Sequence, residues 1–234
     1  MTTAAPLLRT LESAGPRPVL AWYGEAARIE LSGHVLANWV IKAIGHLHDE
    51  VDLAPGDLVV LDLPPHWKRL VLALAAWSLG AEVRLGERAE DDGNDDSAGD
   101  VLAGGAEPRV VVTDRPDSAL ADSGDEVLAV QPVSLAPRYD GDLPPLVRDW
   151  VVEVRGSSDR LGVALPGWSG PALDRSDAST TGPEGTPPRL LVEGDGLAVA
   201  AQVLAAWGAG GGIVGPAAQV TERQRADEAI TAQV

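Results

Sequence analysis

The segment Leu58–Leu85 constrains this chain most, because it reads as strand, helix and strand within 28 residues. Leu58-Val59-Val60-Leu61-Asp62-Leu63 is a β-branched and leucine run of strand length, stopped by Pro64-Pro65. His66–Leu79 follows as a nearly all-apolar helix, closed by Gly80 where a left-handed residue ends helices. Glu82–Leu85 is the next strand. A helical crossover of this length joins parallel strands, so the chain belongs to the α/β class.

The flanking sequence extends that pattern. Ser32 caps a helix whose apolar positions Leu36, Trp39, Val40, Ala43, Ile44 and Leu47 follow helical spacing, and Asp52–Asp57 is a turn. Arg109–Thr113 and Val127–Val130 read as short buried strands. Pro144-Pro145 is expected to open a helix through Trp150 to Val154, with Leu146, Val147, Trp150, Val151 and Val154 on one face. Residues 156–188 read as loop, with a short strand around Gly162–Leu165. A second βαβ-like unit then runs from Arg189–Val192 through an Asp195 cap and the helix Leu197–Trp207 to Gly212–Val214. The pattern Ala-Ala-Trp-x-x-Gly ends the helix in both units, at Ala75–Gly80 and at Ala205–Gly210. The expected architecture is a layered α/β/α fold built from two βαβ-type lobes. It spans residues 1–216, with lobe one to about 135, lobe two from about 136, and a polar tail over 217–234 that forms a frayed terminal helix.

Charge and composition narrow the partners. A net charge of −17 would repel a phosphate backbone and an anionic lipid surface, so neither nucleic acid nor membrane is an expected partner. The acidic loop 87–100 carries seven acids against one Arg and reads as a solvated excursion rather than a calcium loop. With no Cys there is no thiolate nucleophile and no Cys-based metal site, and a reducing cytoplasm is the expected compartment. The longest apolar stretch, Leu70–Ala81, is too short for a bilayer, which takes about 20 residues. No signal-peptide pattern opens the sequence.

Three short motifs carry a resemblance. Leu31-Ser32 with Leu36 is followed by Pro55-Gly56-Asp57-Leu58-Val59 with Pro64, and then by Leu79-Gly80-Ala81 leading into a strand. Their order resembles the N-terminal region of the adenylate-forming superfamily, which includes acyl-CoA synthetases and other AMP-dependent synthetases. The resemblance implies the fold of that region, ATP with magnesium as cofactors if the site is retained, and nucleotide or acyl-adenylate ligands. Ser179-Thr180-Thr181-Gly182-Pro183-Glu184-Gly185 is the nearest counterpart of the family's phosphate loop. Ser179, Thr180, Thr181, Gly182 and Gly185 are therefore the nucleotide-binding candidates, although Glu184 stands about where a cation would help. The family's magnesium carboxylate, ribose-binding Asp and lid Lys find no counterpart, and no Lys follows Lys68.

The remaining candidates come from the residues themselves. His66 follows a strand end and starts a helix, where open α/β sheets bind ligands, so it is a second ligand candidate; its blander reading is an exposed helix-start residue. His46 and His48 are two apart on a helix and point to different faces, so no metal site is expected. No G-x-S-x-G elbow is present, and no catalytic residue is assigned. The expectation is a truncated, non-catalytic relative of AMP-binding acyl-CoA synthetases acting as a binding or interaction module. The alternatives are a weak acyl-adenylate-forming enzyme and a partner subunit of a synthetase.

Overall fold

The computed structural model describes residues 2–24, 28–86, 107–173 and 186–234. The acidic loop 87–100 lies outside the described residues. The elements in chain order are α1 (Ala5–Ala14), β1 (Pro18–Tyr23), β2 (Arg28–Ser32), α2 (Gly33–Asp49), β3 (Leu58–Asp62), α3 (Trp67–Ser78), β4 (Glu82–Leu85), β5 (Val110–Thr113), β6 (Glu126–Ala129), β7 (Arg148–Asp149), α4 (Trp150–Gly156), β8 (Arg189–Leu191), α5 (Ala200–Gly208), β9 (Gly212–Gly215), α6 (Glu222–Asp227) and β10 (Ala232–Gln233). They form a mixed α/β protein with two largely parallel sheets.

The chain divides into two units that alternate along it. One comprises residues 1–3, 40–64 and 71–170; the other comprises 4–39, 65–70 and 171–234.

The first unit holds the sheet β4-β3-β5-β6-β7, in which every pairing is parallel. Both β3 and β5 are buried along their whole length, which explains why they read as continuous apolar runs instead of alternating ones. The second unit holds the sheet β10-β8-β9-β1-β2, parallel except for the β1–β2 hairpin.

The repeated Ala-Ala-Trp-x-x-Gly motif has one physical cause in both places. At the end of α3, Gly80 N–H donates to Trp77 O and Ala81 N–H to Ala76 O; at the end of α5, Gly210 N–H donates to Trp207 O and Gly211 N–H to Ala206 O. These are matching Schellman closures, and the glycines sit at φ +75° and +76°. The tryptophans differ: Trp207 is buried with its Nε1 donating to Val19 O, whereas Trp77 is half-buried and packs edge-on against Trp168.

Three expectations are corrected. The helix expected from Pro144 begins only at Trp150, where the Asp149 side chain accepts from Val151 and Val152 N–H; Leu146 lies outside it at φ +70° and is 95% exposed. Residues 162–165 form no strand. The segment after Pro216 is not a frayed helix: a Thr221–Gln224 capping box starts the short α6, and the chain then returns as β10 beside β8.

A buried carboxylate secures that return. Glu228 accepts from Tyr23 Oη at 2.9 Å, Arg28 Nε at 2.7 Å and Arg189 Nη2 at 2.6 Å. Burial alone would raise the carboxyl's pKa, but the hydrogen bonds from Arg189, Arg28 and Tyr23 hold it below the usual range. Glu228→Gln should cost about 2 kcal/mol in urea unfolding, less than a fully buried pair would lose because Arg28 is partly screened by water.

Candidate functional site

In the second unit β1, β8 and β9 run parallel, so their carboxyl ends lie on one side of the sheet. Three segments meet there: Trp22 at the end of β1, the Gly194-Asp195-Gly196 loop after β8, and the Pro65–Leu70 start of α3. A Cβ on Gly194 would stand 3.0 Å from Pro65 Cβ, so the loop and the helix start need a bare backbone to approach this closely.

His66 is buried, not exposed as the blander reading had it, with only 4% of its surface accessible. It caps α3. Its Nδ1 accepts from Lys68 N–H at 3.1 Å, which places the proton of the neutral ring on Nε2. Burial, and secondarily the charges of Lys68 and Arg69, push its pKa down to about 3. The ring packs edge-on against Trp22 at 5.4 Å between centroids and lies 5.6 Å from Trp67, which in turn meets Trp39 at 5.3 Å. Trp67 Nε1 is buried with no hydrogen-bond partner among the described residues.

Asp195 gathers four hydrogen bonds from protein donors. Its Oδ2 accepts from His66 N–H at 3.1 Å and Arg69 Nε at 2.6 Å, while its Oδ1 accepts from Arg69 Nη2 at 3.0 Å and Leu197 N–H at 3.2 Å. The Leu197 contact is a turn and not the helix cap that the sequence predicts: Leu197–Val199 is a 3-10 turn and α5 starts only at Ala200, with Val199 at its N-cap. The bidentate pair with Arg69, both side chains largely buried, is not predicted, since its partners stand 126 residues apart. The available signal is a charged Lys68-Arg69 pair inside an apolar helix, which demands a buried counter-charge. Lys68 is itself buried, its Nζ 5.8 Å from the centroid of the Trp67 ring.

A second cluster, also absent from the sequence reading, sits at the carboxyl end of the other sheet. Buried Asp62, at the end of β3, accepts from Thr113 Oγ1 at 2.9 Å and from Arg115 Nη2 at 3.0 and 3.1 Å. Gly86 lies so close that a Cβ there would be 2.8 Å from Asp62 Oδ1.

Ser179, Thr180, Thr181, Gly182 and Gly185 all lie outside the described residues. Among the described residues, no three or more His, Asp or Glu side chains are grouped so as to hold a metal. His46 is buried against Glu153 at 2.9 Å, whereas exposed His48 meets Asp49 at 2.7 Å. No helix of the described residues is long and apolar enough to cross a membrane.

The backbone decides the fold. It superposes on the acetoacetyl-CoA synthetase of Streptomyces lividans with a TM-score of 0.67 at 16% identity, over 90% of this chain and 37% of that one. It also matches the A domain of the carboxylic acid reductase of Segniliparus rugosus with a TM-score of 0.63 at 12% identity, over 91% of this chain and 44% of that one. This is the N-terminal fold of the adenylate-forming enzymes. In sequence the chain is 33% identical over 159 residues to a protein of Mycobacterium tuberculosis whose name states only a numbered family. That match covers 67% of this chain and 59% of the relative. No family model matches the sequence. Within the adenylate-forming fold, the sequence motifs fall at structural joints. Leu31-Ser32 opens α2, with Ser32 Oγ accepting from Val35 N–H, and Pro55-Gly56-Asp57 turns into β3, with Asp57 Oδ2 accepting from Ala54 N–H.

Proposed function

We propose that this chain is a non-catalytic binding module with the adenylate-forming fold, whose ligand is a nucleotide or an acyl-adenylate. One observation carries the reading: at the carboxyl end of the second sheet, His66 and Asp195 are both committed to holding the chain together. The His66 ring is neutral with Nδ1 already accepting, and Asp195 takes four hydrogen bonds from protein donors. His66 is not set up to take a proton at neutral pH, since a general base needs a matched pKa and an open lone pair, and the Asp195 oxygens are taken up by donors of the protein.

The ligand class is supported by the likeness to the reductase A domain, whose structure holds AMP and a co-purified carboxylic acid. ATP and magnesium enter only through the Ser179–Gly185 segment, where Thr180, Thr181 and Gly182 would face phosphate and Glu184 would weaken the grip on a triphosphate. A reducing cytoplasm is the compartment that fits a Cys-free chain.

Pyrophosphate exchange into ATP, measured across a panel of carboxylic acids, tests the reading. The expected result is no exchange above the protein-free blank. Acid-dependent exchange would overturn it in favour of an acyl-adenylate-forming enzyme. Exchange restored only by an added synthetase chain would make this protein a partner subunit.

A further inference from the structure

We infer that His46 pins an acid-sensitive latch: at neutral pH it ties the end of α2 to α4, and a proton taken up on its ring frees α4. The inference stands apart from the nucleotide reading and lies wholly within the first unit.

His46 stands in the last turn of α2 with its side chain fully buried. Its Nε2 lies 2.9 Å from Glu153 Oε2 on α4. A carboxylate only accepts, so Nε2 carries the proton of the neutral ring and Nδ1 is bare. Nδ1 is buried and meets no hydrogen-bond partner among the described residues. A proton on Nδ1 would therefore be a donor in a dry site with nothing to accept it.

The oxygen that His46 uses is also shared. Arg148, in β7, meets the same Glu153 Oε2 through Nε at 2.8 Å, and it reaches back to α2 through Nη1 to Glu50 O at 2.7 Å and Nη2 to Glu50 Oε2 at 3.2 Å. Protonated His46 would set a second cation on that one oxygen, beside the guanidinium. Burial is the largest influence on the ring and holds its pKa below the ordinary 6.5; the Arg148 charge acts with it, while Glu153 and Glu50 act against it. In an opened latch the ring is hydrated and titrates near 6.5, so the open state takes up the proton first. The closed form is fully favoured above about pH 6.5 and loses ground as pH falls.

There is room for the opening. Glu153 and Arg148 line a cavity of about 510 Å³ together with Gly45, Glu50 and Ser157, so the ion pair can swing without parting. A second tie does not involve the ring: Lys42 Nζ donates to Arg155 O at 3.2 Å and to Ser157 O, so α4 stays tethered at its far end. With seven residues, α4 is too short to persist as a helix without its packing. Its release uncovers Trp150, Val151 and Val154.

Backbone hydrogen exchange of the full chain, corrected for its intrinsic pH dependence, tests the latch. Amides of α4 should be less protected than those of β3. Their protection should fall by up to about tenfold from pH 7.5 to 5.5, the limit that one proton allows when the open state titrates near 6.5. His46→Gln keeps a donor toward Glu153 but cannot take up a proton, so α4 should lose this pH dependence, whereas His66→Asn should leave it. Side-chain nitrogen NMR of the unaltered chain should show His46 protonated on Nε2 and bare on Nδ1 at pH 7.5. Equal exchange in α4 and β3, an unchanged slope in His46→Gln, or a slope reduced by His66→Asn would overturn the proposal, because α4 would then open only with the whole fold. So would a His46 ring that carries a proton on Nδ1 while α4 stays protected.

Discussion

Asp195→Ala should destabilise the protein by about 3–5 kcal/mol, the cost of leaving a buried guanidinium without its counter-ion. The carboxylate holds Arg69 through two hydrogen bonds and also satisfies the N–H groups of His66 and Leu197, so one substitution orphans several donors. For a chain of this length, Tm should fall by roughly 6–20 °C. Arg69→Met combined with Asp195→Leu should recover part of that loss, because an apolar pair carries no desolvation penalty. Urea unfolding followed by tryptophan fluorescence reads both variants. A loss under about 1 kcal/mol for Asp195→Ala would mean that water reaches the pair and that the loop–helix joint does not depend on it.

Acid should destabilise the fold through His66. In the unfolded chain its imidazole titrates near the ordinary 6.5, whereas in the fold it is pushed down to about 3. The unfolded state therefore takes up the proton first. The stability that neutral, buried His66 contributes is fully present above about pH 6.5 and is lost as pH falls toward the folded value. The slope reaches about 1.4 kcal/mol per pH unit, and the whole window is worth on the order of 5 kcal/mol. His46, also lowered by burial despite its contact with Glu153, adds a loss of the same sign. Glu153 and Glu228, both lowered, add a further limb below the usual carboxylate range. His66→Asn keeps a capping side chain but cannot titrate, so the difference between its stability profile and that of the unaltered protein should lie between pH 3 and 6.5. Parallel profiles across that window would show that His66 is hydrated and not held neutral.

What was legible in the sequence is what local chemistry determines. The strand–helix–strand of β3, α3 and β4 lies where its apolar runs and Gly80 put it. The matching helix ends at Trp77 and Trp207 follow from one repeated motif. The misread elements are those that tertiary contacts override. Pro144-Pro145 looks like a helix start, yet the Asp149 cap places the start at Trp150, and the apolar periodicity through Leu146 is coincidental. The tail after Pro216 reads as a frayed helix because it is polar and Ala-rich; its return as β10 is secured by Glu228, which finds Arg28 and Arg189 far away in sequence. His66 was marked by its place after a strand, but its burial depends on Trp22 and Trp67 closing over the ring, which no spacing rule encodes. The Asp62–Arg115 pair was hidden for the same reason: an acid ending an apolar strand announces a need for a partner without naming it.

The most direct test of the central claim is calorimetric titration of the full chain with Mg·ATP and with a non-hydrolysable acyl-adenylate. The account predicts saturable binding of the acyl-adenylate, with weaker binding of Mg·ATP, and reduced nucleotide affinity in Thr180→Ala with Thr181→Ala. No heat with either ligand would contradict it, and the adenylate-forming fold would then serve this protein as a scaffold without a nucleotide site.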